Sequence, residues 1–374
     1  MNRKMEEFEP GEPGHGQAGQ KRIDGPAVSI IVPTYNTPID LLFRCLNSLI
    51  RQTYVNIEII IVDDGSKPQY REDISRVAEL DSRVVLIDSP HGGASHARNM
   101  GINCARGDWI AFADADDEVE VEFVSEALSC ASDDIDLICG HVEPIFAKER
   151  GVSHCGGCGS TWFTVDSCEI FAAADQMLAY RKNRLFPGPD FKGRGPVAKL
   201  YRANKIGPLR FNEDMEIAED ELFNYKFIRK SNGIAIVDKV WYRYFQREGS
   251  VLHSVTLSKI RKSMSALLST VEPGEDPSTY YARCVFMVLE GSSYLAMRRS
   301  SLTDIASLVR EAEKYGIYRR EFFQNYVLNL RQSVFVYLCS LRCWLAAVLW
   351  VWATQRFKLV LHAKGTRLYS KDLG

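Results

Sequence analysis

The chain has 374 residues, 46% of them hydrophobic and 25% charged, and its 46 Lys and Arg against 48 Asp and Glu leave a formal net charge of -2. That apolar content, with only 26 Gly, excludes wholesale disorder and collagen-like structure, and the near-neutral balance excludes a bulk nucleic-acid binder. Ten Cys in a chain this long is not a disulfide-dense pattern, and the start MNRKMEEFEPGEPGHG carries no apolar secretory core, so the expectation is a cytoplasmic protein with reduced thiols.

Residues 1–25 are rich in Gly, Glu, Gln and Pro and read as a disordered tail. From Val28 the pattern alternates. VSIIV (28–32) reads as a strand ending at Pro33, residues 39–51 as a helix, and IEIIIV (57–62) as a strand ending in Asp63-Asp64-Gly65-Ser66. A polar helix is expected at about 70–80, a strand at 83–87, a helix at 93–104, a strand at 109–113, a helix at 119–130 and a fifth strand at 135–139. Strands alternating with helices predict βαβ units and an α/β fold with a mostly parallel sheet, and near-continuous apolar strands predict helices on both faces. Residues 150–165 read as a loop, 167–182 as a helix, and 186–196 (FPGPDFKGRGP) as a mobile Gly/Pro-rich loop. Short strands are expected at 199–202, 209–211 and 234–237, around a helix at 218–230, and helices from residue 256 to the end.

In open α/β sheets, ligands bind beyond the carboxyl ends of the strands. Here those ends carry Pro33-Thr34-Tyr35-Asn36, then Asp63-Asp64-Gly65-Ser66, His91-Gly92-Gly93 and Asp114-Ala115-Asp116-Asp117. From Asp108 to Glu122 there are seven acidic residues and no basic one. An acidic helix start explains Glu118, Glu120 and Glu122. It does not explain Asp114 and Asp116 at the end of a buried strand, where crowded carboxylates repel unless a cation joins them. A hard divalent ion shared with substrate phosphates fits that position, so a metal-diphosphate site is the favoured reading. The first strand lacks G-x-G-x-x-G and the chain lacks G-x-x-x-x-G-K-[ST], which excludes a dinucleotide-binding Rossmann site and a P-loop. The nucleotide must be held otherwise: Tyr35 can stack on a base and Asp64 can accept from a base N–H. A second cluster, EDMEIAEDE (213–221), places Glu219-Asp220 at a helix start, as an N-cap or a general base.

The series VSIIVPTYN, IEIIIVDDGS, GGASHARNMGI, GDWIAFADADD and AEDELF, in this order, resembles the family 2 inverting glycosyltransferases of GT-A fold, over about Val28 to Ser250. The ending YRYFQREGSV resembles the bacterial members that build capsule, exopolysaccharide or lipopolysaccharide. The resemblance implies transfer of a sugar from a nucleotide-diphosphate donor, UDP-linked by the Asp64 pattern, to a hydroxyl of a glycan or lipid-linked acceptor. It implies that Pro33 and Tyr35 contact the base, that Asp64 binds uracil, and that Arg98 touches the nucleotide or diphosphate. It further implies that Asp114 lies near the ribose, that Asp116 ligates Mn²⁺ or Mg²⁺, that Asp220 is the catalytic base, and that Arg247 sits in a loop closing over the donor phosphates. The family often has Asn before the Gly pair, where this chain has His91. A silent nucleotide-binding scaffold and a nucleotidyltransferase are the competing readings. Intact Asp114, Asp116 and Asp220 oppose the first, and the missing Gly-rich basic loop opposes the second.

The expected domains are residues 26–255 for the transferase and 256–374 for a helical region. Within the latter, 334–353 (VFVYLCSLRCWLAAVLWVWA) is apolar apart from Ser340 and Arg342. Arg342 near its middle opposes a spanning helix, and flanking basic residues favour an in-plane helix at an anionic membrane with three Trp at the interface; a core or oligomer helix is the plainer reading. Residues 319–374 hold nine Lys or Arg against Glu321 and Asp372, so the neutral total divides into an acidic catalytic part and a basic end suited to peripheral contact with the inner membrane face. The lone C-x-x-C of Cys155 and Cys158 lacks the second pair a structural zinc needs. His253 reads as a loop residue, Cys45, Cys104 and Cys130 as core, and Trp241, Tyr242 and Tyr244 as strand residues explained by packing.

Overall fold

A computed structural model describes residues 27–146, 160–179, 181–191, 193–246, 256–297 and 302–363. The N-terminal tail, the Cys155/Cys158 loop, Arg247 and His253 lie outside the described residues.

Among the described residues, nine strands form one sheet: β1 (Val28–Thr34), β2 (Ile57–Asp64), β3 (Val84–Ser89), β4 (Trp109–Phe112), β5 (Glu118–Val119), β6 (Leu137–Phe146), β7 (Thr161–Thr164), β8 (Lys199–Arg202) and β9 (Ile234–Gln246). Their order is β3-β2-β1-β4-β8-β6-β9-β5, with β7 also on β9. The half β3-β2-β1-β4 is wholly parallel, Val28 lying opposite Ile57 on one side and Trp109 on the other. In the other half β8 runs antiparallel to β4 and β6, whereas β6 and β9 are parallel.

Helices α1 (Ile39–Ile50), α2 (Pro68–Ala78) and α4 (Phe123–Leu128) cover one face of the sheet. The other carries α3 (Ala94–Cys104), α5 (Ser167–Ala179), the short α6 (Ala203–Ile206) and α7 (Glu219–Lys230). The period-2 alternation explains this: Val28, Ile30 and Val32 join the first core and Ile31 the second, as do Ile59 and Ile61 against Ile60 and Val62. Helices α8 (Leu257–Ser269), α9 (Ser278–Met297), α10 (Leu302–Glu313), α11 (Leu330–Ser340) and α12 (Trp344–Ala363) extend the second core, α9 packing on α5 and α8.

Several local expectations need correction. Glu118–Val119 is a strand paired with β9 and the helix starts only at Phe123, because Arg243 on β9 takes Glu118 and Glu120 as ion pairs. The fifth strand continues to Phe146 through Gly140 and Pro144, using a register shift around His141. A Cβ on Gly140 would meet Trp241 at 2.2 Å, so the glycine there is needed for packing rather than for a turn. Part of the expected 150–165 loop is β7. Residues 209–211 form no strand; instead the Asn99 amide pairs with both backbone groups of Phe211, in place of a ladder. Cys104 is exposed rather than in the core.

The 334–353 run is not one helix. It breaks at Leu341–Cys343, where Arg342 adopts a φ of 60° and pairs with Glu313. Phe335, Val336, Cys339, Ala347, Val348 and Val351 are buried, and Trp344, Trp350 and Trp352 pack half-buried against the same core. Among the described residues no helix is long and apolar enough to cross a membrane.

Candidate active site

The ends of β1, β2 and β4 lie side by side in parallel register, so Pro33 and Tyr35, Asp64, and Asp114 and Asp116 gather at one edge. Asp63 and Asp64 are both buried but serve different loops. Asp63 Oδ1 accepts from Ser66 N–H at 3.0 Å, and Ser66 Oγ accepts from Asn36 N–H at 2.8 Å, which ties the first two strand ends together. Asp64 Oδ1 accepts from Gly92 N–H at 2.8 Å, and Oδ2 accepts from Gly93 N–H at 2.9 Å and from His91 Nδ1 at 2.8 Å. The expected uracil-binding carboxylate is thus already bound to the loop that opens α3. Tyr35, exposed, stacks on His91 with ring centroids 4.1 Å apart and planes 17° apart.

Around β4 the backbone is held from three sides. Arg44 donates to the Asp116 carbonyl, Cys45 Sγ to the Asp114 carbonyl at 3.4 Å, and Asp114 N–H donates to Tyr242 Oη at 2.9 Å. Tyr242 O–H in turn donates to Asp117 at 2.8 Å. Asp117 is buried, and burial together with Asp114 and Asp116 pushes its carboxyl up to about 8. Asp114 and Asp116 remain partly exposed at the edge.

Arg98 on α3 connects this edge to the second acidic cluster. It is buried, donates to Asp114 Oδ1 at 2.9 Å, and lies 3.8 Å from Glu219 Oε1. Burial opposes its charge, yet Asp114, Glu219 and Asp220 hold the guanidinium above its ordinary range. Glu219 and Asp220 open α7, where the helix dipole favours carboxylates. The N-cap is Ala218, held at a φ of 67°. Non-glycine residues seldom take that conformation; Asn36 and Ala198, beside the same edge, do so too. Burial raises Asp220, with Arg98 and Arg283 pulling it back, and burial plus Asp220 raises Glu219 to about 7. Glu221, next in line, is clamped by Arg283 of α9 at 2.8 Å.

The segment 193–197 passes beside Asp220: a Cβ on Gly195 would lie 3.4 Å from Asp220 Oδ2. Its Gly/Pro content predicts mobility, but buried side chains hold its carbonyls. Lys199 Nζ donates to Gly193, Gly195 and Val197 at 3.0, 2.7 and 3.3 Å, and Asn224 Nδ2 donates to Arg194 and Gly195. Upstream, Phe186 and Phe191 are buried and stacked.

The structure therefore brings Tyr35, Asp64, Arg98, Asp114, Asp116 and Asp220 into one connected edge, with Pro33 ending β1 opposite Val62. Tyr242, Lys199, Arg283 and Asn99 were missed as site supports. Only Tyr242 carried a signal, its alternation placing it on one strand face; Arg283 and Asn99 act through partners 62 and 112 positions away, and Lys199 through nearby backbone carbonyls that no side-chain pattern marks.

Residues 29–191 match the family model described as Glycosyl transferase family 2. The segment is a family 2 glycosyltransferase domain. Curated relatives include glycosyltransferase GlyA of Streptococcus pneumoniae, 30% identical over 60% of this chain and 31% of GlyA, and EpsH of Bacillus subtilis, 33% identical over 59% of this chain and 61% of EpsH. The chain thus spans less than two thirds of either relative. In structure it is similar to Staphylococcus aureus TarS residues 1–349, solved with UDP-GlcNAc, at a TM-score of 0.58 and 17% identity, covering 92% of this chain and 93% of that one. That likeness shows a shared GT-A fold and, at 92% of this chain, extends beyond the matched segment.

Proposed function

We propose that this glycosyltransferase moves a sugar from a UDP-sugar to a hydroxyl of a glycan or lipid-linked acceptor in cell-surface polysaccharide synthesis, with inversion at the anomeric carbon. The observation that carries the reading is the Asp114–Arg98–Glu219 bridge, which sets a donor-side carboxylate and a raised base, Asp220, around one buried cation. The resemblance to relatives that include a poly(ribitol-phosphate) β-N-acetylglucosaminyltransferase supports this substrate class.

In this mechanism the acceptor hydroxyl oxygen attacks the anomeric carbon in line. The bond to the diphosphate breaks with its electron pair going to the leaving group, and the hydroxyl proton passes to Asp220. A carboxylate pushed upward by burial accepts a proton more readily near neutral pH, and a well-placed base contributes roughly 10²–10⁴-fold. Arg98 fixes the distance between the two acidic segments and offsets their repulsion.

Among the described residues no three His, Cys, Asp or Glu converge into a cation cage. The residues present still fit Mg²⁺ or Mn²⁺, because such ions use one or two carboxylates with substrate phosphates, and Asp116 and Asp114 present hard oxygens at the strand end while Asp117 is consumed by Tyr242 and Phe245. Bound there, the ion would act as a Lewis acid on the departing diphosphate.

We also infer peripheral contact with an anionic membrane. Leu330, Leu341, Leu345 and Leu349 are exposed along α11 and α12, beside Arg342, whose side chain is 79% exposed, and the following segment is basic.

The test of the chemistry is a panel of nucleotide sugars with Mn²⁺, followed by NMR of the product. A β-linked product from an α-linked UDP-sugar is expected; an α-linked product contradicts single displacement.

A further inference from the structure

The stretch 193–197 is irregular chain held by an expensive set of donors. The carbonyls of Gly193, Gly195 and Val197 converge on Lys199 Nζ, and those of Arg194 and Gly195 on Asn224 Nδ2. Tyr201 O–H donates to Asn224 Oδ1 at 2.6 Å and so orients that amide. Lys199, Tyr201 and Asn224 are all buried, and an ammonium taken out of water is costly unless its hydrogens are used. Asn224 lies four positions after Asp220 on α7, so it draws the stretch onto the helix face that carries the base. The two glycines of the stretch differ. Gly193 has a φ of 128° and a Cβ there would meet Val142 at 2.4 Å, so backbone and packing explain it. Gly195 lies outside the left-handed region. Beyond its chain neighbours, the one atom among the described residues that its Cβ would meet within 4 Å is Asp220 Oδ2, at 3.4 Å, an ordinary contact. Neither a turn nor packing requires that glycine; its missing side chain leaves room over one oxygen of the base. Gly195 and Asp220 are both half-buried, so this room is reachable from solvent. Asp220 Oδ1 accepts from Glu221 N–H at 2.8 Å, which leaves Oδ2 to take a proton.

We propose that Gly195 is a specificity-determining position for the acceptor, keeping Asp220 Oδ2 open to a hydroxyl with a sugar ring behind it, and that Lys199 is the positioning residue that fixes this opening. The proposal rests on the reading of Asp220 as the base of a glycosyltransferase and deepens it. In the step, the hydroxyl oxygen bonds to the anomeric carbon and its proton passes to Oδ2. The diphosphate leaves with the electron pair of the broken bond. A sugar hydroxyl brings its ring carbon past Gly195 to reach Oδ2, whereas water has nothing behind its oxygen. A methyl group at this position therefore obstructs transfer to a sugar and spares hydrolysis of the donor.

The test incubates UDP-GlcNAc and UDP-glucose with Mn²⁺ and octyl β-glucoside, counting released UDP against glycosylated product, for the unmodified full chain, Gly195→Ala and Lys199→Met. Gly195→Ala should fold normally, since its new contact is ordinary and its backbone needs no glycine. Transfer should fall by about 10²-fold, the scale of a misplacement of one ångström, while UDP affinity and donor hydrolysis stay at the unmodified level. Lys199→Met should show the same split, with transfer lost ahead of hydrolysis. Transfer and hydrolysis falling in proportion to the folded fraction would make Lys199 merely structural and overturn its role. Undiminished transfer in Gly195→Ala overturns the role of Gly195 and leaves the transferase reading standing. UDP release by the unmodified protein with no glycosylated octyl glucoside overturns the acceptor opening. Neither UDP binding nor UDP release by the unmodified protein overturns both readings.

Discussion

The two acidic edges of the site are held by different means. On the donor side, Asp63 and Asp64 accept from backbone N–H groups at most 29 positions away, and Asp114 is held by the Tyr242 hydroxyl and by Arg98, the cation both edges share. On the base side, Glu219, Asp220 and Glu221 depend on buried cations from distant elements, Arg98 on α3 and Arg283 on α9. Backbone donors are lost only on substitution by proline and do not titrate. Buried cations can be removed one at a time, and each loss strands a carboxylate. The base side should therefore be the more fragile half.

The strongest way to break this contrast is Arg98→Met, which leaves Asp114 and the α7 carboxylates facing one another. Loss of one partner from a buried pair costs about 3–5 kcal/mol. Thermal denaturation should show that loss, and turnover should vanish. Arg283→Met should cost a similar amount of stability by stranding Glu221. It should also lower kcat while leaving UDP affinity within about twofold, because it touches only the base side; a drop in UDP affinity matching the drop in kcat would show that the two edges are not separable.

A smaller effect concerns pH. The base must be ionised to accept a proton, and the Glu219 carboxyl stands at about 7 with Asp220 also raised. Activity should therefore rise with pH through about 7. An ascending limb in the ordinary carboxylate range, near 4, would remove this pair from the mechanism. The smallest expected effect on the chemistry is that of Leu345→Glu with Leu349→Glu. Turnover on a soluble acceptor should not change, whereas flotation with vesicles containing anionic lipid should be lost. Flotation equal to that of the unmodified protein would exclude membrane contact by this face.

The same contrast marks what the sequence could reveal. β1, β2 and β4 and their polar ends were legible because each strand is a short apolar run closed by a local turn, and period 2 sets its faces. The base side was less legible. The carbonyls of 193–197 are held by Lys199 and Asn224, so a stretch whose Gly and Pro signal mobility is instead fixed by buried donors. The break at Arg342 was hidden because the apolar run continues across it; the left-handed backbone of Arg342 and its pairing with Glu313 on α10 mark the turn. Asp64 was found as a site residue, but its occupation by three loop donors depends on how close the β2 end lies to Gly92 and Gly93. No spacing in the chain encodes that distance.

The central claim is that Asp220 takes the acceptor proton and that donor binding does not depend on that carboxylate. It is tested most directly by measuring turnover and UDP-sugar affinity together in Asp220→Asn. The account predicts a loss of turnover of about 10²–10⁴-fold or more with donor affinity within about twofold of the unmodified protein. Turnover close to that of the unmodified protein would contradict it.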